Sequence, residues 1–488
     1  MAASGASMLT STRFWLAILG FVGFALEYAM RVNLSVALVC MLNHTAIETL
    51  SVSQSDRKLD EPNPECRHLR TVGDDRKPQD GTFVWDKYSQ GLLLGAFFWG
   101  YILTQIPAGR LADTFGAKPI VLTTMTLSGL CTLLSPIAAQ INLGVFIALR
   151  IVLGMSEGFM FPAMHSFWSN WAPPLERSIL ITICYAGAPA GTIIALMSSG
   201  IICETLGWSY VFYIMGLTCL LWCVLWWCLS ASSPIEHAHI SDDELRFITN
   251  SLSGQGTEER DSTHIPWRAI WTSWPVWAII VMHFGANFGN YMPLTELPTY
   301  MSEVLKFDHA QVGLWSGLPY GLMFLTSIAS GPLADSIRSR RLLNTKNTRK
   351  FLGFVSHTGQ ALFFVLASTQ TCTQRWTAVL FLFLAQGAWG ISQAAYMINH
   401  VDIAPRYAGT LFGISNMFAT IPGIVAPYVA SALTTHGTQS EWRLVFWLAA
   451  GIELMCLVFY LCTASGELQS WAREDEVEER LRTDDHDD

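Results

Sequence analysis

Arg150, Glu157 and His165 fall inside an apolar stretch, Leu143 to Trp168, that is long enough to cross a bilayer. An ionisable side chain at bilayer depth is costly unless it faces a protein interior or a watery cavity. Seven residues of spacing put Arg150 and Glu157 on one face of an α-helix, two turns apart. A buried guanidinium can hold an anion, and a buried carboxylate can take up a proton. The same pair could also do no more than hold two helices in register. Arg31 repeats the pattern in the first apolar run, with Glu27 one turn before it and Tyr28 beside it. A guanidinium grips a carboxylate through two parallel hydrogen bonds. The i, i+4 spacing equally allows an internal Glu27–Arg31 pair.

Such residues need membrane helices to position them, and the composition supplies those. Of 488 residues 51% are hydrophobic and 14% charged, against about 25% charged in soluble domains. Nineteen tryptophans suit membrane–water interfaces. Much of the net charge of −9 lies after Gly466, and no basic patch points to nucleic acid. The eleven cysteines sit mostly in apolar runs with no metal-binding spacing, so neither metal nor other cofactor is expected.

Twelve apolar runs can span. They begin near Phe14, Gln90, Pro119, Leu143, Ile179 and Trp208, then near Trp274, Val312, Phe351, Trp376, Ala408 and Trp442. The first run reaches Leu42 without a small-residue cleavage site and reads as a retained helix. This all-α membrane protein divides into a terminal segment (1–13), a six-helix half (14–232, with a long loop at 43–87), a linker (233–270), a second half (271–465) and an acidic tail (466–488). Ser241 and Glu244 form a capping-box pattern in the linker, predicting a short surface helix.

Arg110, Lys118, Arg177 and the cluster Arg338, Arg340, Arg341, Lys346, Arg349 and Lys350 mark the cytoplasmic loops, while the opposite short loops hold only Lys306, Arg375 and Arg443. Both termini are then expected in the cytoplasm and loop 43–87 on the lumenal or extracellular side. That loop carries a glycosylation acceptor at Asn43-His44-Thr45. It also carries Cys66, which could pair with Cys203 or Cys372 near the same face.

An internal repeat narrows the fold. Gly109-Arg110-Leu111-Ala112-Asp113 closes the second helix and leads to Gly116 and Lys118; Gly331-Pro332-Leu333-Ala334-Asp335 closes the eighth and leads to Arg338. This resembles the major facilitator superfamily, whose two six-helix halves rock about a site near the midplane. The resemblance makes the Asp113 and Asp335 motifs latches of one conformational state.

A closer resemblance covers nearly the whole chain. Arg31-Val32-Asn33-Leu34-Ser35, Gly95-Ala96-Phe97-Phe98-Trp99-Gly100-Tyr101 with Thr104-Gln105-Ile106-Pro107, Phe161-Pro162-Ala163-Met164-His165, Trp171-Ala172-Pro173-Pro174-Leu175-Glu176-Arg177-Ser178, Asn399-His400 and Asp402-Ile403-Ala404-Pro405 look like the anion transporter family of sialin. That family also holds the vesicular glutamate transporters and sodium–phosphate cotransporters. Leu297-Pro298-Thr299-Tyr300-Met301 and Phe418-Ala419-Thr420-Ile421-Pro422-Gly423 lean toward its sialin branch.

The resemblance implies that Arg31 and Arg150 clamp one substrate carboxylate, and that Glu157 matches a family glutamate tied to proton coupling. Where the sialin branch has a second glutamate four residues earlier, this chain has Leu153. Coupling then rests on Glu157, His165, Glu296 or Glu27. Glu296 could face a cavity or simply reach lumenal water. His165 and His400 titrate near acidic-compartment pH, yet such histidines also serve as hydrogen-bonded packing. Tyr28, Tyr185, Tyr291, Asn287 and Asn416 could hydrogen-bond sugar hydroxyls or brace helices. Glu453 finds no partner in the sequence.

The expected activity is symport of a small organic anion, sialic acid or a related acidic sugar, with a proton, by a monomer with no nucleic-acid partner. A sodium-dependent phosphate or organic anion cotransporter and a vesicular acidic amino acid transporter are the alternatives. Ala286 stands where the glutamate transporters carry an arginine, which argues against glutamate. A membrane acyltransferase using His400 would have no use for the repeated motif. A lysosomal or other acidic-vesicle membrane is the expected location, with the plasma membrane open because no acidic dileucine signal is present.

Overall fold

The computed structural model describes residues 10–43, 45–47, 81–173, 176–253, 265–404 and 407–472. Twelve long helices carry the chain: α1 (Thr12–Met41), α2 (Lys87–Phe115), α3 (Ala117–Ile141), α4 (Leu143–Trp171), α5 (Ile179–Thr205), α6 (Trp208–Leu229), α7 (Trp274–Glu303), α8 (His309–Ser339), α9 (Thr345–Ser368), α10 (Cys372–Ile403), α11 (Ala408–Leu433) and α12 (Gln439–Thr463). Ten of them are long and apolar enough to cross a membrane on their own. The other two, α2 and α7, are as long, at 29 and 30 residues.

Helix starts are set by caps that hydropathy does not register. Ser11, Asp86, Asn142, Asn344 and Thr438 each accept a backbone N–H of the first turn with the side chain. So α9 begins at Thr345, a polar turn before the apolar run at Phe351.

Two helices break where proline dictates. Pro162 lacks the N–H that would reach the Gly158 carbonyl, and α4 is interrupted between Leu143–Glu157 and Met160–Trp171. Pro189 stands in the same relation to Tyr185, and α5 is interrupted between Tyr185 and Gly187.

The chain forms two compact units. One comprises Met1–Asp261, Leu294–Leu318 and Pro427–Gly437; the other comprises Ser262–Pro293, Pro319–Ala426 and Thr438–Asp488. In the first unit α1 packs on α5, α2 on α4, and α3 on α6. Backbone contact at small residues makes this possible. A Cβ on Gly154 would strike the Phe97 carbonyl, one on Gly100 the Ile151 carbonyl, and one on Gly187 the Phe21 carbonyl. The same unit holds the end of α7 through the Lys87–Glu303 ion pair and the end of α11 through Tyr88 against Tyr428. In the second unit α9 packs on α10 and α12.

The ends of the loop between α1 and α2 are tied together, with Asn43 N–H donating to Phe83 O at 2.8 Å and Gly81 N–H to Leu42 O at 2.9 Å. The surface helix anticipated in the linker is present as Asp242–Ser253. Ser241 caps it, but Glu244 does not complete a capping box. Its carboxylate instead accepts from Thr12 and Arg13 N–H at 2.9 and 3.1 Å and pairs with the Arg13 guanidinium, which also binds Glu176 at 2.6 Å. Among the three loop-side cysteines, Cys203 is a free thiol, Cys372 is disulfide-bonded, and Cys66 lies outside the described residues.

Candidate functional site

The close α2–α4 approach and the break after Glu157 place four ionisable side chains against one another in the first unit. Arg31 lies at the centre. Its Nη2 donates to Glu27 Oε1 at 3.0 Å, and its Nε donates to Glu157 Oε2 at 3.2 Å. The guanidinium also lies over the rings of Tyr28, Phe97 and Tyr101, with centroids 4.3, 4.8 and 4.8 Å away. Flat aromatic walls of this kind hold a guanidinium in place by cation–π attraction.

Arg150 shares a face with Glu157, as its spacing requires, but does not pair with it. Its Nη1 and Nη2 donate to the carbonyls of Met30 and Arg31 at 3.2 and 2.9 Å. The second arginine therefore grips the backbone of α1 exactly where the first arginine projects. Glu27, Arg31, Arg150 and Glu157 are all at most 4% exposed. Two cations and two carboxylates balance, which is what burial at this depth demands. Three polar atoms stay without a hydrogen-bond partner among the described residues: Glu27 Oε2, Glu157 Oε1 and Arg150 Nε. A small cavity beside them, with room for about one water, is lined by Arg31, Ser35, Phe97, Arg150 and Thr295.

The other candidates fall in different places. Glu296 follows Thr295 on α7 and is buried, with Oε1 unpartnered among the described residues. His165 and Tyr185 meet edge to face at 5.3 Å, and Tyr185 also packs on Phe24 and Phe161. The Tyr185 hydroxyl has no hydrogen-bond partner among the described residues.

Asn287, His400 and Asn416 belong to the second unit. Asn287 Nδ2 donates to Ala419 O at 2.9 Å, bracing α7 on α11. His400 is held between Met397 O at 2.9 Å and Ser415 Oγ at 2.8 Å, and His283 reaches the same hydroxyl at 3.1 Å. Asn416 lies half-buried one residue beyond that hydroxyl.

Of the repeated motif, Gly109 and Asp113 lie in the last turns of α2, which ends at Gly116 with φ +86°, a conformation open to glycine. Lys118 Nζ then donates to Ser230 O at 2.6 Å. In the second copy a Cβ on Gly331 would meet open space, and Asp335 and Arg338 are exposed. Asn43 Oδ1 accepts from Ala46 N–H at 2.8 Å in the turn that carries the acceptor pattern.

Sequence reading missed two things. Phe97 and Tyr101 are walls of the Arg31 site; both are aromatic, and their four-residue spacing was the available signal. Glu453 does have a partner, His357, with Nδ1 and Oε1 2.6 Å apart in the second unit.

The comparisons with known proteins agree with this architecture. The Major Facilitator Superfamily model matches residues 16–427. Human sialin is 42% identical over 97% of this chain and 93% of its own length. Human vesicular glutamate transporter 2 is 36% identical over 96% of this chain and 76% of its length. Among solved structures, a bacterial homolog of the human lysosomal transporter Spinster superposes with a TM-score of 0.69 at 13% identity, covering 94% of this chain and 97% of that one. A D-xylose–proton symporter superposes with 0.65 at 14% identity, covering 93% and 98%. The chain is thus a multi-pass membrane transporter, not an enzyme, and belongs to the major facilitator superfamily, in the family of sialin and the vesicular glutamate transporters.

Proposed function

We propose that this transporter carries an organic anion, sialic acid or a related acidic sugar, together with a proton by alternating access in the membrane of an acidic organelle. The observation that carries the reading is Arg31 held by two buried carboxylates beside a cavity. The sialin and vesicular glutamate transporter relatives support an anionic substrate.

The switch runs through Arg31 rather than Arg150. While Glu157 is ionised it occupies the Nε edge of Arg31. A proton on Glu157 weakens that bond and frees the edge for an incoming carboxylate, to which a guanidinium can donate two hydrogen bonds. Arg150 keeps α1 in place by its two carbonyl bonds. Proton and anion together leave the buried charge of the cluster unchanged, whereas either alone would leave it at +1 or −1. Burying an unbalanced charge is expensive, so the two ligands favour each other's binding. The small cavity must widen as substrate enters. In this reading the Gly109–Asp113 and Gly331–Asp335 motifs latch one conformational state, both termini face the cytoplasm, and Asn43 carries a glycan on the lumenal side.

The test is uptake of labelled sialic acid into proteoliposomes at acidic and neutral pH, with sodium or choline outside. We expect stimulation by an inward proton gradient and indifference to sodium. Glu157→Gln should keep exchange of labelled for unlabelled substrate while losing about tenfold or more of the gradient-driven component. Gradient-driven uptake that survives Glu157→Gln intact would remove this residue from the coupling role. Uptake lost in choline would favour a sodium-driven carrier.

A further inference from the structure

A second ionisable pair lies in the other unit, and none of the chemistry proposed above uses it. His357 on α9 and Glu453 on α12 are both fully buried, with Nδ1 and Oε1 2.6 Å apart. At that separation two bare lone pairs would repel, so a proton lies between the two atoms. A neutral imidazole donating Nδ1–H to an ionised carboxylate would leave a buried charge of −1, so burial favours one further proton, and the pair is then imidazolium with carboxylate or imidazole with carboxylic acid, neutral in either case.

Its surroundings cannot replace that proton. Glu453 forms no ion pair with an arginine or lysine among the described residues. The titratable groups beside the pair are Tyr396 of α10, whose ring lies 6.2 Å from that of His357, and Cys456 one turn along α12, with Tyr291 and His283 of α7 next to Tyr396. None is a permanent charge. Arg349, two turns before His357 on α9, is neutralised by Asp402 at 2.7 Å.

Glu453 Oε2, His357 Nε2 and Gln360 Oε1 have no hydrogen-bond partner among the described residues. Gln360 is oriented by its Nε2, which donates to Gly289 O at 2.9 Å, so its amide oxygen can only accept. That oxygen and Glu453 Oε2 both face Gly289; a Cβ there would lie 3.1 Å from each. Two acceptors are therefore turned toward one small gap, as at a site that holds a proton.

We infer that His357 and Glu453 form a second proton-binding site, which keeps its proton while buried and releases it when α9 and α12 part enough to admit water. The inference extends the proton-coupled reading, but its readout needs neither substrate nor gradient. The sign follows from linkage. The buried state binds one more proton than the wetted state, so acid favours burial and rising pH favours opening, by up to about tenfold per pH unit.

Cys456 supplies the reporter. It is a buried free thiol one turn from Glu453, wedged against Gly285. Alkylation at Cys456 would be followed by peptide-resolved mass spectrometry on the full-length protein in lipid nanodiscs, without substrate, between acidic and neutral pH. The same measurement on H357Q/E453Q corrects for ordinary thiol chemistry. We expect the wild-type rate, divided by that of the variant, to climb at least severalfold over this range. The swapped pair H357E/E453H still shares one proton and should restore the climb, and E157Q should leave it in place.

A constant ratio would show that the pair never releases its proton and would overturn the inference. Should H357Q/E453Q not fold, the Cys456 rate is divided instead by that of the exposed Cys462 in the same protein, and a constant ratio overturns the inference equally. Proton-independent uptake would sink the proposed function while leaving the labelling result to stand on its own.

Discussion

The two units each bury carboxylate charge, and they neutralise it by different means. In the first, Glu27 and Glu157 both pair with Arg31, whose guanidinium lies over three aromatic rings. In the second, the one ion-pair partner of Glu453 among the described residues is His357. Arginine stays charged at any accessible pH, so its cluster remains neutral by ion pairing and can exchange one carboxylate for another. Histidine can give its charge away, so the second pair is neutral only through the proton it shares. The first arrangement suits a foreign anion. The second suits a proton.

The comparison breaks most visibly if Arg31 loses its charge. Arg31→Met leaves Glu27 and Glu157 buried without their cation, and breaking a buried pair this way costs about 3–5 kcal/mol. We expect a marked loss of thermal stability in detergent together with loss of substrate binding. Adding Glu27→Gln and Glu157→Gln should return most of the stability without returning binding. In the second unit no neutral substitution of the pair should cost as much, because the pair is already neutral. An Arg31→Met protein as stable as wild type would show that the cluster is not held as the distances suggest.

The ionisable residues of the first cluster are legible in the sequence because each stands out in an apolar run. Their pairing is not. Arg150 and Glu157 invite a pair by spacing, but which of them meets Arg31 depends on how α4 docks on α1 and α2. That docking is set by Gly100 and Gly154, whose role shows only when helices touch. The break after Glu157 could have been read from Pro162, four residues beyond Gly158. The His357–Glu453 pair was beyond reach, since its members lie 96 positions apart on helices whose contact no local pattern encodes. The twelve helices and the repeated motif, by contrast, are periodic and local, and the fold follows from them.

A smaller effect comes from the glycines that shape each cluster. Gly154→Ala drives a methyl group into the Phe97 carbonyl, and backbone cannot swing aside. Overpacking of this kind costs about 1–3 kcal/mol. It should also pull Phe97 and Tyr101 off Arg31, raising KM for the anion more than it lowers kcat. A stability loss with KM unchanged would mean that the aromatic walls do not position the guanidinium.

The smallest change belongs to the second cluster. Gly289→Ala places a methyl carbon 3.1 Å from both Gln360 Oε1 and Glu453 Oε2. These are the ends of flexible side chains rather than backbone, so they can yield by a few tenths of an ångström, and the stability loss should stay below that of Gly154→Ala. Its use lies in what it separates. The methyl group fills the gap that both oxygens face but leaves the His357–Glu453 hydrogen bond untouched. If the proton is held between Nδ1 and Oε1, the pH dependence of Cys456 alkylation should persist in Gly289→Ala. If it is held at Oε2, facing Gln360, that dependence should weaken. The alkylation profile of this single variant therefore locates the proton within the pair, where no measurement on the arginine cluster could.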